Sequence, residues 1–175
     1  MNSVPLLKVV IAGDGDVGKT SLVRRYCEGK FETSRVMTIG VDFQTKLVNL
    51  PEQTVKLSIW DMAGQDRFSS IRSGFYRGSL VSALIYDLTV PETLKKLVNW
   101  YFEIAKVVPN QKFVVVGNKS DLVVDEPDRV GLQFAKVIRA EYIRTSAATG
   151  TGVDDMFEAL ARIAYSNLIA AQPAG

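Results

Sequence analysis

Gly13-Asp14-Gly15-Asp16-Val17-Gly18-Lys19-Thr20 fits the pattern G-x-x-x-x-G-K-[ST], whose spacing is dictated by phosphate chemistry. Small residues let the backbone curl around a polyphosphate, so that successive N–H groups point inward as an anion nest. In such a loop Lys19 reaches the β- and γ-phosphates, and the Thr20 hydroxyl ligates the accompanying Mg²⁺. Gly13, Gly15, Asp16, Val17, Gly18 and Ser21 complete the expected phosphate-binding stretch. A Gly-rich turn would read the same in isolation, so the flanks decide. Leu6–Ala12 is a short, mostly apolar run, the composition of a strand buried in a parallel sheet. Residues 21–28 follow with helical spacing and Gly29 supplies a stop. The helix N-terminus then faces the phosphates and adds its partial positive charge to that of Lys19.

Strand-like and helix-like patterns alternate along the rest of the chain, which predicts an α/β fold with a mostly parallel sheet. Val41, Phe43, Thr45 and Leu47 alternate with Asp42, Gln44, Lys46 and Val48, a period suited to an edge strand. A turn at Pro51-Glu52-Gln53 and renewed alternation at Val55, Leu57 and Ile59 make this a hairpin. Residues 80–86, 112–117 and 141–145 complete six strands. Helical faces are marked by Leu94, Leu97, Val98, Tyr101, Ile104, Ala105 and Val108, stopped by Pro109. Val130, Phe134, Val137 and Ile138 mark a second face. Val153, Met156, Phe157, Leu160, Ile163, Ala164 and Leu168 mark a third. The expected architecture is a P-loop NTPase domain spanning 1–175, with one antiparallel edge strand and helices on both faces.

Composition narrows the function. The 175 residues suffice for one domain that buries about 70% of its unfolded surface. A net charge of +2, with 21 basic residues scattered rather than clustered, argues against a nucleic-acid partner. Cys27 is the single cysteine and the chain has no histidine, so no internal disulfide forms and Cys27 is expected to pack. No apolar run reaches the ~18–20 residues that span a bilayer. The first residues lack a charged signal-peptide region, and the last carry no cysteine for prenylation. These features predict a cytoplasmic protein with no membrane anchor in these residues, its association with membranes left open; a monomer is expected.

Asn118-Lys119-Ser120-Asp121 identifies the base, because it directly follows the strand at 112–117. The Asp121 carboxylate accepts two hydrogen bonds, matching guanine N1–H and N2–H₂; adenine offers no such donor pair. Asn118 suits a tethering amide, and Lys119 an aliphatic stem over the base. A polar loop with a helix cap is the plainer reading of the tetrad alone.

With these residues in place, the chain resembles the small GTPases of the Ras superfamily along nearly its whole length. Asp61-Met62-Ala63-Gly64-Gln65 is similar to the D-x-A-G-Q element, and Ser146-Ala147 to the last guanine-binding loop, where the Ala147 N–H would face guanine O6. Thr38 resembles the threonine of the first switch, and Phe31 the aromatic that packs edge-on to guanine. Within the superfamily the resemblance is to Rab proteins, through Ile39-Gly40-Val41-Asp42-Phe43, Lys56-Leu57-Ser58-Ile59-Trp60-Asp61, Gln65-Asp66-Arg67-Phe68, Phe75-Tyr76-Arg77-Gly78 and Tyr86-Asp87-Leu88-Thr89. The resemblance implies GTP/GDP binding with Mg²⁺ and GTP hydrolysis. Thr20 and Thr38 would ligate the metal, and Asp61 would act through a bound water. Lys19 and the Gly64 N–H would hold the γ-phosphate, while Gln65 orients the attacking water. Loss of that phosphate would release both switch segments. Ile39, Phe43, Trp60 and Phe75 fall at effector-reading positions, although Trp60 also suits core packing. Exchange factors, GTPase-activating proteins and effectors are the partners implied.

Three positions depart from the pattern. Asp16 stands where glycine or alanine is usual, and its carboxylate would weaken nucleotide binding unless it points to solvent. Ala148 replaces a lysine next to the base. Arg35 precedes Thr38 by three, as the intrinsic arginine finger does in heterotrimeric G-protein α subunits; a solvated loop arginine is the other reading. The alternative to a hydrolysing switch is a guanine-nucleotide-dependent binding module with little hydrolysis. Retention of Thr38, Asp61 and Gln65 favours the switch.

Overall fold

The computed structural model describes residues 3–33 and 37–172. Its centre is β1 (Leu6–Ala12), whose residues alternate between the two faces of a six-stranded sheet. The other strands are β2 (Val41–Asn49), β3 (Thr54–Met62), β4 (Val81–Asp87), β5 (Phe113–Asn118) and β6 (Glu141–Arg144), in the order β2-β3-β1-β4-β5-β6. All neighbours run parallel except β2 and β3, which pair antiparallel from Val41↔Met62 to Asn49↔Thr54. This is the predicted sheet, with the hairpin strand at its edge.

The central strands are apolar on both sides because helices cover both sides. Leu7, Val9, Ile11, Val81, Ala83, Ile85, Val114 and Val116 pack under α1 (Lys19–Glu28) and α5 (Val153–Ala170). Val10, Ala12, Leu84, Tyr86, Phe113 and Val115 pack under α2 (Ser69–Tyr76), α3 (Pro91–Val107) and α4 (Arg129–Val137). Helix α1 begins at Lys19, two residues earlier than its spacing suggests, directly after a left-handed Gly18. Helix α2 has no counterpart in the sequence reading.

Two helical faces differ from expectation. Val130 and Val137 of α4 are 67% and 69% exposed, and the helix seats on the sheet through Gly131 and Ala135. A side chain at Gly131 would meet the Tyr86 hydroxyl and the Tyr142 ring, so the contact demands the smallest residue, which apolar periodicity does not count. Val98 of α3 is exposed as well, because Leu94, Leu97, Trp100 and Ile104 already fill that helix's buried stripe.

Parallel strands place their carboxyl ends at one edge of the sheet. Ala12, Met62, Asp87 and Asn118 therefore end β1, β3, β4 and β5 side by side, and the antiparallel β2 brings its first residue, Val41, to the same edge. The loops that leave this edge carry the motifs.

Candidate functional site

The loop after β1 is shaped by close approaches. Gly18 has φ 99°, and a Cβ there would meet the Asn118 amide, so glycine serves both conformation and contact. Gly64, at the end of β3's loop, lies against the Gly15 and Asp14 backbone with no room for a side chain. Three loops from separate parts of the chain are thus pressed into one unit.

Side chains complete the junction. Asn118 donates from Nδ2 to the Val17 carbonyl at 2.9 Å and accepts from the Thr145 hydroxyl at 3.0 Å. Lys119, itself left-handed at φ 66°, donates to the Asp16 carbonyl at 2.8 Å and pairs with Asp87 at 2.6 Å. Asp121 accepts from the Ser146 hydroxyl at 2.6 Å, and the carbonyl of Ala148 accepts from Arg25 of α1 at 2.8 Å. The 118–121 loop is therefore bonded directly both to the phosphate-loop backbone and to the 146–148 loop.

Between them opens a cleft of about 570 Å³. Gly15, Asp16, Gly18, Lys19, Thr20 and Ser21 line one end; Thr38, Gly64 and Gln65 close over it; Phe31, Asn118, Lys119, Asp121, Ala147 and Ala148 line the other end. Gly13 and Val17 lie buried behind the loop, and Ser146 behind Asp121. Asp16 is exposed and held at φ 64°, a left-handed conformation that aspartate tolerates better than most residues. Arg35 lies outside the described residues. Ile39, Phe43, Trp60 and Phe75 stand apart from the cleft. Phe43 is 62% exposed, and its ring centroid lies 5.2 Å from that of half-buried Trp60, which lies 5.8 Å from that of Phe75.

A second cluster sits beside Lys19. Thr20 Oγ1 donates to Asp61 Oδ2 at 2.5 Å and stands 2.8 Å from Thr38 Oγ1. With its one proton committed to Asp61, Thr20 accepts from Thr38. Octahedral Mg²⁺ at 2.0–2.1 Å sets adjacent oxygen ligands about 2.9 Å apart, so the two hydroxyls already have the spacing of neighbouring ligands. Asp61 Oδ1 is buried with no hydrogen-bond partner among the described residues. No cluster of three or more His, Cys, Asp or Glu is placed to hold a metal among those residues. A metal at Thr20 would therefore depend on hydroxyl, water and phosphate oxygens, a donor set that suits Mg²⁺. The residues fit the ion.

Electrostatics point the same way. Burial pushes the Asp61 carboxyl up to about 6, against the pull of the Thr20 hydrogen bond and the Lys19 charge. Burial also brings the Lys19 ammonium down to about 8, opposed by Asp61 and Asp14, while its Nζ donates to the Asp14 carbonyl at 2.7 Å. A dry pocket disfavours both charges. A phosphate beside Lys19 and a divalent cation beside Asp61 would reverse both shifts.

Residues that sequence reasoning did not single out hold this arrangement in place. Arg72 of α2 is 2% exposed, and it bonds the Ala63 and Gln65 carbonyls and the Glu103 carboxylate. Lys96 of α3 pairs with Asp14 at 2.9 Å. Only the four-residue spacing of Arg72 and Tyr76 hints at a shared helical face, and no motif marks either Lys96 or Glu103.

A doubly covered sheet of this order, with a glycine-rich loop opening α1 and a cleft at the strand ends, defines a G domain. Residues 8–166 match the Ras family, and the chain belongs to that family: it is a Rab-like small GTPase. It is 38% identical over 156 residues to Ras-related protein Rab-4 of Dictyostelium discoideum, covering 87% of this chain and 76% of that one. It is 39% identical over 155 residues to Ras-related protein Rab-21 of Homo sapiens, covering 86% and 68%. Ras-related protein Rab7 of Prunus armeniaca is 41% identical over 172 residues, covering 93% and 83%. No helix among the described residues is long and apolar enough to cross a membrane.

Proposed function

We propose that the cleft binds GTP and GDP with Mg²⁺, that the protein hydrolyses GTP there, and that the segments around Thr38 and Gln65 report the γ-phosphate to partners. The observation that carries this reading is the direct bonding of the phosphate loop to the base-side loop, through Asn118 to Val17 and Lys119 to Asp16. One ligand with a polyphosphate at one end and a planar base at the other would touch both.

Asp121 reads the guanine edge, and Ser146 supports that role by donating to Asp121 Oδ1, which fixes the carboxylate and leaves a lone pair on each oxygen for the base. Phe31 and the Lys119 stem flank the ring, and the Ala147 N–H meets its carbonyl. Lys19 and the Gly64 N–H hold the γ-phosphate, and Gln65 orients water for in-line attack. Thr20 and Thr38 hold Mg²⁺, with Asp61 behind a water; the ion supplies neutralisation of phosphate charge. Once the γ-phosphate leaves, the contacts to Thr38 and Gly64 leave with it. The 63–65 and 37–39 segments then relax, and the neighbouring Ile39, Phe43, Trp60 and Phe75 surface becomes state-dependent.

Two measurements test the reading. The nucleotide released on denaturing purified protein is identified chromatographically, and phosphate release is followed with GTP and with ATP. Retained GDP or GTP and phosphate release from GTP alone are expected. Retained guanine nucleotide without phosphate release above a Gln65→Leu control would favour the binding-module alternative.

A further inference from the structure

Arginine is seldom buried unless each of its donors is matched. Arg72 is buried, and its matches are divided between two bodies. Nε and Nη2 grip the Glu103 carboxylate of α3 as a fork, at 2.8 and 2.9 Å. Nη1 turns the other way, to the Gln65 carbonyl at 2.8 Å and the Ala63 carbonyl at 3.2 Å. The guanidinium carbon lies 4.1 Å from the Trp100 ring centroid, and Tyr76 donates to Glu103 at 2.6 Å, so the fork's seat is itself fixed.

The two carbonyls flank Gly64, the residue pressed onto the phosphate loop. A buried ion pair is weak evidence for stability, since well-packed apolar residues often serve as well. An apolar side chain at position 72 would cover Trp100 but could not hold two carbonyls on either side of one glycine. The guanidinium links the 63–65 backbone to α3, and α3 also grips the phosphate loop through Lys96 and Asp14 at 2.9 Å. Lys96, Trp100 and Glu103 recur at helical spacing, so one face of α3 touches both walls of the γ-phosphate end.

We propose that Arg72, seated on Glu103 and Trp100, is a positioning residue for GTP hydrolysis: it fixes the 63–65 backbone so that the Gly64 N–H and the Gln65 side chain meet the γ-phosphate and the attacking water. The proposal rests on the assignment of Gln65 and Gly64 made above. Arg72 touches no substrate and acts only through that backbone. Misplacement of a catalytic group by an ångström costs up to about a hundredfold in rate.

The test is a double-mutant cycle in single-turnover GTP hydrolysis, with wild type, Arg72→Ala, Gln65→Leu and the double variant, and GDP release measured alongside. Arg72→Ala is expected to slow hydrolysis about tenfold or more while GDP release changes less than about threefold. In the Gln65→Leu background it is expected to add much less, because the Gly64 N–H is then all that remains to be positioned. Arg72→Lys is expected to fail to rescue, since an ammonium cannot bridge a carboxylate fork and two carbonyls. An unchanged rate in Arg72→Ala would overturn the proposal, as would an undiminished further loss in the double variant. Should Arg72→Ala not yield folded protein, Glu103→Gln carries the test: slower hydrolysis with unaltered GDP release supports the seat, and an unaltered rate overturns it. Equal rates for wild type and Gln65→Leu would instead overturn the Gln65 assignment, and the proposal with it.

Discussion

Replacing Asn118 by alanine removes the amide that joins the phosphate loop to the base-side loops. The side chain is 1% exposed and makes two hydrogen bonds, to the Val17 carbonyl and from the Thr145 hydroxyl. Both partners belong to fully buried residues, so neither gains water when the amide goes. A buried polar group left unpaired costs about 1–3 kcal/mol; the threonine hydroxyl can turn to another acceptor, but the carbonyl cannot. A total near 3 kcal/mol follows, a large share of the 5–15 kcal/mol that holds a domain together. For a chain of this size that lowers the thermal midpoint by roughly 6–12 °C. Asn118→Asp keeps the volume but sets an acceptor against the Val17 carbonyl, so it is expected to cost at least as much. The assay is thermal unfolding at two GDP concentrations, because ligand binding adds its own stabilisation and the two contributions must be separated. An Asn118→Ala midpoint within about 1 °C of wild type at both concentrations would refute the argument that this amide bonds the loops together.

Four further outcomes follow from the same structure. Asp121→Asn exchanges an acceptor pair for an acceptor and a donor; two charge-assisted bonds at about 1.5–3 kcal/mol each predict a loss of GDP affinity of at least a hundredfold, with xanthosine diphosphate gaining in competition. Glu103→Gln tests pH dependence: burial raises the Glu103 carboxyl, but hydrogen bonds from Arg72 and Tyr76 and the guanidinium charge bring it below its ordinary value. A depressed folded-state value stabilises above the unfolded one and is lost as pH falls through it, so wild-type stability should drop below about pH 4 more steeply than that of Glu103→Gln. Asp16→Gly removes a carboxylate from the cleft lining at a left-handed position that glycine adopts readily; a several-fold slower GDP release is expected, and an unchanged release rate would exclude the carboxylate from exchange. Arg35→Ala is expected to slow single-turnover hydrolysis by roughly tens of fold if the side chain acts as an arginine finger; equal rates would leave it a solvated loop residue.

The fold was legible wherever hydrophobic period alone decides. The runs in β1, β4 and β5 are apolar because both faces are covered, and the β2–β3 alternation marks a strand pair at the edge. Helix α2 was not legible. Apart from an exposed Ile71, residues 69–74 carry no large apolar side chain, and the helix buries Arg72 and Tyr76, which hydropathy assigns to the surface. Helix α4 misled for the converse reason: its seat is Gly131 and Ala135, while its larger apolar residues Val130 and Val137 face outward.

That the motif residues meet in one cleft was legible because the phosphate, base and metal chemistry proposed for it dictates residue types at short spacings. The groups holding those motifs together are long-range pairs, 18 to 103 residues apart in Thr20–Thr38, Arg72–Glu103 and Lys119–Asp16, and no local pattern encodes them. Asp16 illustrates the difference. Its charge could be read from the sequence, but its left-handed backbone, which explains why glycine suits the position, required the structure.

The most direct measurement of the central claim is a single-turnover experiment on protein loaded with GTP labelled at the γ-phosphate, with Mg²⁺ present and no partner added. The account predicts slow release of one labelled phosphate per protein, GDP retained in the cleft, and loss of the release in Gln65→Leu. Failure to retain any guanine nucleotide, or release at the same rate in wild type and Gln65→Leu, would contradict it.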